Sequence, residues 1–192
     1  MEDILNFLAE INSLKKVERY SNKPPRFRDS VAEHCMQMII MADMLIQHFK
    51  LDLDFSKVVR YIYLHDLGEI GMQKDICAYS PNKPVDRKTK KESEKIVAHR
   101  FFHKHNRESY KLVYDDYNAQ CDKESKFVNL LDKTEPLIFA LSNGYRNFMK
   151  YEPYEFTVNY PNKALELYPE ITEFVNSIKL RMTEIYKTVS ES

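Results

Sequence analysis

The chain has 192 residues, 43% of them hydrophobic, with 29 lysines and arginines balanced by 29 aspartates and glutamates. That length suits one domain, residues 1–192, whose core needs neither disulfides nor a structural metal, and the zero formal net charge speaks against a general affinity for nucleic acid or an anionic membrane. Three widely spaced cysteines (Cys35, Cys77 and Cys121) without a Cys-x-x-Cys pair, a start without a leader pattern, and no apolar run near the ~20 residues of a membrane span lead us to expect a soluble, cytoplasmic protein.

Only three glycines, among many Leu, Lys, Glu, Met and Ile, point to an all-α fold. The first helix is expected from Ile4 to about Val17, with Ile4, Phe7, Leu8, Ile11 and Leu14 on its buried stripe, ending before Ser21-Asn22-Lys23-Pro24-Pro25. Ser30-Val31-Ala32-Glu33 then has the form of a capping box, the hydroxyl of Ser30 meeting the amide of residue 33 while Glu33 reaches back. The helix it opens should run to about residue 49, with Val31, Cys35, Met38, Ala42, Leu45 and Phe49 inward and His34 at the edge of that stripe.

A third helix, from about Phe55 to Leu67, contains Tyr61-Ile62-Tyr63-Leu64-His65-Asp66-Leu67-Gly68-Glu69. Val58, Tyr61, Ile62 and His65 recur at helical spacing, so His65 faces the core with Asp66 turned about 100° beside it. Burying an imidazole next to a carboxylate requires a partner. Either a divalent cation satisfies both, or the two bond each other as a structural pair. Gly68 is expected to give the backbone freedom to close or bend, with Glu69 near His65 or at the mouth of the same site.

Residues 75–91 read as a long polar loop, and the basic run from Lys83 to Lys95, interspersed with Asp86, Glu92 and Glu94, as a solvated stretch without an assigned contact. A helix follows over about 92–105. Its His99 and His103 lie four apart and suit a shared metal, but Lys95, Arg100 and Lys104 surround them and favour a solvated face. Another helix spans 107–119 with Leu112 and Val113 inward. Asp122 opens the next, in which Asp132 sits among Phe127, Val128, Leu131 and Ile138 and Pro136 is expected to introduce a kink. Pro161 and Pro169 suit first helical turns, the second opening a long helix to about Thr188 packed through Ile171, Phe174, Val175, Ile178 and Met182.

His34, the His65–Asp66 pair and Asp132 thus stand in or beside apolar stripes of different helices, the way a bundle brings ligands together in its core. Their order resembles that of the HD-domain phosphohydrolases, and the likeness extends to the HD-domain 5′-deoxynucleotidases. It is carried by Leu14-Lys15-x-x-x-Arg19-Tyr20, Ser30-Val31-Ala32-Glu33-His34, His65-Asp66-x-x-Glu69, Asp75-Ile76, Lys126-Phe127-Val128-x-x-Leu131-Asp132 and Tyr168-Pro169-Glu170-Ile171. The resemblance implies an HD-domain helical bundle in which His34, His65, Asp66 and Asp132 hold one divalent ion, Glu69 acts on the attacking water, and Arg19, Tyr20 and Asp75 contact the substrate. It also implies a homodimer. Three positions depart from the family's pattern: Tyr20 stands where bacterial relatives carry Trp, Asp75 comes one residue late, and Lys74 replaces the usual Gly.

Two imidazoles and two carboxylates are borderline ligands suited to Mn²⁺, Co²⁺, Fe²⁺ or Zn²⁺. The expected reaction is hydrolysis of a deoxyribonucleoside 5′-monophosphate to a nucleoside and inorganic phosphate. The same metal site would also serve a nucleoside triphosphate hydrolase, and a non-catalytic metal-binding regulatory module is the third reading, disfavoured by Glu69.

Overall fold

In the computed structural model, residues 1–21, 23–70 and 87–190 are described. No strand occurs among them, and the extended structure is a single antiparallel bridge between Glu18 and Ser30. The all-α class read from the sequence is borne out. The chain forms two compact units, each assembled from two separate stretches.

The first unit joins residues 1–36 to 59–121. Helix α1 (Glu2–Ile11) passes into a 3-10 turn at Asn12–Lys16, which changes the pitch before the expected end at Val17. Phe7 and Leu14 are buried as expected and Ile11 packs against the same core, whereas Ile4 and Leu8 are exposed: α1 is covered along a narrower edge than the expected stripe. Helix α2 (Val31–Phe49) starts where the sequence places it. The Ser30 backbone N–H and hydroxyl both donate to Glu33 Oε2, at 2.7 and 2.8 Å, and the Glu33 N–H donates to the Ser30 hydroxyl at 3.2 Å, completing the capping box.

Helix α3 (Phe55–His65) stops two residues before the expected end, and Leu67–Glu69 forms a 3-10 turn. Helix α4 (Arg87–Lys104) starts earlier than expected, and α5 (Glu108–Ala119) follows. On α5 Tyr114 and Tyr117 are buried and Val113 packs against the core as expected, while Leu112 is exposed. Phe7, Leu14, Val17, Val31, Leu64, Leu67, Ala98, Phe101, Phe102 and Tyr114 form the core of this unit.

The second unit joins residues 37–58 to 122–192. Helix α6 (Lys123–Ser142) is capped by the Asp122 carboxylate, which accepts from the Ser125 N–H at 2.7 Å, and contains Pro136. Three short helices follow: α7 (Tyr145–Phe148) and α8 (Tyr154–Asn159), which the sequence reading missed, and α9 (Asn162–Leu165), which starts where Pro161 marks a helix. Pro169 opens a 3-10 turn leading into α10 (Thr172–Ser190), which packs against α6, α7 and α8. Its Val175, Ile178 and Met182 are buried together with Phe127, Leu130, Leu131 and Phe148 of this unit. No helix among the described residues is long and apolar enough to cross a membrane.

Candidate metal centre

His34 follows the cap by one turn of α2. Its N–H donates to the Ser30 carbonyl at 3.0 Å and its side chain is fully buried, deeper than the stripe-edge position expected. His65 is the last residue of α3, and its ring lies 5.5 Å from that of His34 between centroids. Asp66 leaves the helical path at φ −101°, ψ 15°, which turns its carboxylate back on its neighbour. Single ligand atoms of His34, His65 and Asp66 all lie within 4.8 Å of one another.

His65 Nδ1 sits 2.6 Å from the Ile62 carbonyl. A carbonyl only accepts, so Nδ1 carries the proton, and it is Nε2 that lies 3.2 Å from Asp66 Oδ2. A ring anchored through one nitrogen to a backbone carbonyl, with the other turned toward carboxylate and imidazole donors, is the arrangement that orients metal-ligating histidines. Burial disfavours the charged His65 ring, but the Asp66 charge and hydrogen bond outweigh it, with Cys35 adding to the effect, and hold the imidazole well above the usual histidine range. The pocket therefore favours positive charge at this point. A His65–Asp66 pair kept for structure alone would not require a second buried imidazole beside it. The donor set fits a divalent ion.

Glu69 closes the 3-10 turn and is buried at 3% exposure. Its Oε1 lies 3.4 Å from Lys90 Nζ on α4, and the same ammonium is 3.3 Å from Glu94 Oε1. The contact to Lys90 corrects the expectation that the run from Lys83 to Lys95 makes no contact, although Lys88, Lys91, Glu92 and Lys95 are exposed as expected of a solvated stretch. The signal was available: Lys90, Glu94, Ala98 and Phe101 are spaced by four, four and three, so Lys90 shares the face that buries Ala98 and Phe101.

Gly68 also has a different role from the one expected. Its φ is not positive; instead a Cβ there would lie 2.5 Å from the Glu94 carbonyl oxygen and 2.7 Å from its carbon. Glycine is present because α4 comes this close.

Arg19 is buried rather than a surface charge, with Nη1 3.2 Å from Asp29 Oδ2 and its N–H donating to the Asp29 carbonyl at 2.8 Å. Tyr20 adopts a left-handed φ of 56° and is buried; Lys23 Nζ stands 3.9 Å above its ring and the Arg19 guanidinium 5.2 Å from it. With the Glu18–Ser30 bridge, these contacts hold the Arg19–Tyr20 segment against the start of α2. Asp75 and Lys74 lie outside the described residues. Asp132 is on α6 in the second unit, about one quarter exposed, with Lys133 Nζ 3.8 Å from its Oδ2.

His99 and His103 do not share a site. His99 Nε2 is 2.8 Å from Asp115 Oδ1, while His103 is exposed. Burial and the charges of Glu94 and Asp66 push the Tyr114 phenol far above its ordinary range, so it remains protonated.

The HD domain matches residues 11–171 of this chain. The chain belongs to the HD-domain family. The likeness to HD-domain phosphohydrolases read from the sequence is thereby borne out at the level of the family. The human 5′-deoxynucleotidase HDDC2 is 29% identical, the match covering 98% of this HD-domain chain and 91% of the relative. The Xenopus laevis protein of the same name is 27% identical over 92% and 86%. Among solved structures, a "predicted metal-dependent phosphohydrolase" of Magnetospirillum magnetotacticum shares the HD fold at a TM-score of 0.72 and 20% identity, covering 96% of this chain and 93% of that one. The PH0347 protein of Pyrococcus horikoshii matches at a TM-score of 0.63 and 21% identity over 93% and 99%.

Proposed function

We propose that this chain is a metal-dependent phosphohydrolase that removes the phosphate from deoxyribonucleoside 5′-monophosphates, acting as one domain over residues 1–192. The observation that carries the reading is the cluster of His34, His65 and Asp66, with the His65 ring fixed through Nδ1 so that Nε2 turns toward the other donors. The choice of substrate is supported by near full-length likeness to relatives named 5′-deoxynucleotidase.

In this reading His34, His65, Asp66 and Asp132 hold one divalent ion, and the borderline donor set suits Mn²⁺, Co²⁺, Fe²⁺ or Zn²⁺. Once bound, the ion supplies Lewis acidity toward a phosphoryl oxygen and lowers the pKa of a bound water. Glu69 orients the attacking water and takes its proton. Arg19 is assigned a forked grip on the phosphate, its Nη1 standing 3.2 Å from Asp29 Oδ2. Tyr20 is assigned to the sugar and Asp75 to a further substrate contact. The protein is proposed to work in the cytoplasm as a homodimer, without nucleic acid or membrane partners.

The test is a phosphate-release panel with AMP, dAMP, the other deoxynucleotides and dATP, each with Mn²⁺, Co²⁺ or Mg²⁺ added back after chelation. Release of inorganic phosphate from dAMP, with AMP a poorer substrate, is expected. Triphosphate released from dATP while dAMP stays inert would replace this reading with a triphosphohydrolase.

A further inference from the structure

We infer that Lys90 is a positioning residue for Glu69, fixing the orientation and charge of the carboxylate proposed to act on water. This rests on the function proposed above. Glu69 is buried at 3% exposure, and a buried carboxylate stays ionised only with compensating charge or hydrogen bonds. The Lys90 ammonium, 3.4 Å from Glu69 Oε1, supplies a positive charge from a different helix. It is itself held: the 3.3 Å contact to Glu94, one helical turn further along α4, uses a second of its three donors.

The distance between α4 and the turn is fixed independently by Gly68, where the Glu94 backbone leaves no room for a Cβ. Lys90 therefore acts across a set gap. The flanking carboxylates neutralise the ammonium, which distinguishes it from a lysine offered to a phosphate.

The experiment compares Lys90→Met, Lys90→Arg, Glu69→Gln and the Lys90→Met/Glu69→Gln double variant in the full chain. Unfolding of the chelated proteins yields the coupling between the two side chains without reference to activity. Metal content, kcat and KM are then measured on dAMP. Lys90→Met is expected to lower kcat about 10- to 100-fold, as for a misplaced catalytic group, with metal content unchanged. KM should stay within about twofold. Lys90→Arg should restore most of kcat, and the double variant should be no slower than Glu69→Gln alone.

An unchanged kcat in Lys90→Met overturns the inference. A raised KM with kcat held makes Lys90 a substrate ligand instead, and an equal further loss in the Glu69→Gln background shows that it does not act through Glu69. If the unmodified protein is inert toward every nucleotide while the coupling in the chelated protein persists, the function proposal falls and the kinetic role with it, leaving a structural ion pair.

Discussion

A carboxylate that ligates and one that handles a proton differ in what their loss removes. Asp132→Ala should abolish both metal uptake and turnover, whereas Glu69→Ala should retain the metal and lose most of kcat; metal analysis of the purified variants beside steady-state rates separates the two. Full metal content in Asp132→Ala would take that residue out of the coordination sphere. The capping box offers a prediction independent of metal. The Ser30 backbone N–H, then the Ser30 hydroxyl, hold the Glu33 carboxyl below the ordinary glutamate value, partly opposed by burial. Because its folded pKa is depressed, the stabilisation is present above the ordinary glutamate range and is lost as the pH falls through the lowered value. Glu33→Gln should flatten that acid limb in pH-dependent unfolding, and Ser30→Ala should cost about 1 kcal/mol at neutral pH. His65 was legible as a polar residue at a core-facing helical position, with Asp66 turned beside it and His34 at the edge of its own helix's buried stripe. The link from Lys90 to Glu69 was not, because no linear spacing connects residues on elements so far apart in the chain.

At the scale of elements, the starts of helices were easier to read than their ends or interiors. Ser30 with Glu33, Asp122 and Pro169 announce their helices through local backbone chemistry. The change of pitch after Ile11 has no such marker, and the width of the covered edge of α1, which leaves Ile4 and Leu8 outside, is set by its packing partners and not by its own periodicity. On α5 the aromatics Tyr114 and Tyr117 take the inward positions and Leu112 is left outside, a choice made by the packing partners and not by hydrophobicity alone. Gly68 shows the same limit: its need for glycine comes from another helix. Gly68→Ala would force a Cβ to within 2.5 Å of the Glu94 backbone, which cannot swing away as a side chain can. Overpacking of this kind costs about 1–3 kcal/mol, and thermal unfolding should show a lowered Tm together with reduced turnover, since the displaced turn carries Glu69. A variant as stable as the unmodified protein would mean that α4 yields more easily than its contact indicates.

For the whole molecule, chelation is the informative perturbation. A ligand bound only to the native state stabilises it by mass action, about 2.7 kcal/mol at a hundredfold excess over Kd; calorimetry should therefore show a lower Tm after chelation, recovered by Mn²⁺ or Co²⁺. No shift with any divalent ion would contradict a native-state metal site. The all-α class was readable from composition and periodicity, but the grouping into two discontinuous units was not, because it depends on contacts between distant stretches. That grouping bears on how the chain is made. Residues 37–58 belong with 122–192, so Met38, Met41, Ala42 and Leu45, all buried in the finished protein, reach their partners only after the intervening segment and much of the remainder have been translated. At about 5–20 residues per second on the ribosome, this apolar stretch waits several seconds or more for cover, and stalled nascent chains ending before α10 should expose it to chaperones and proteases.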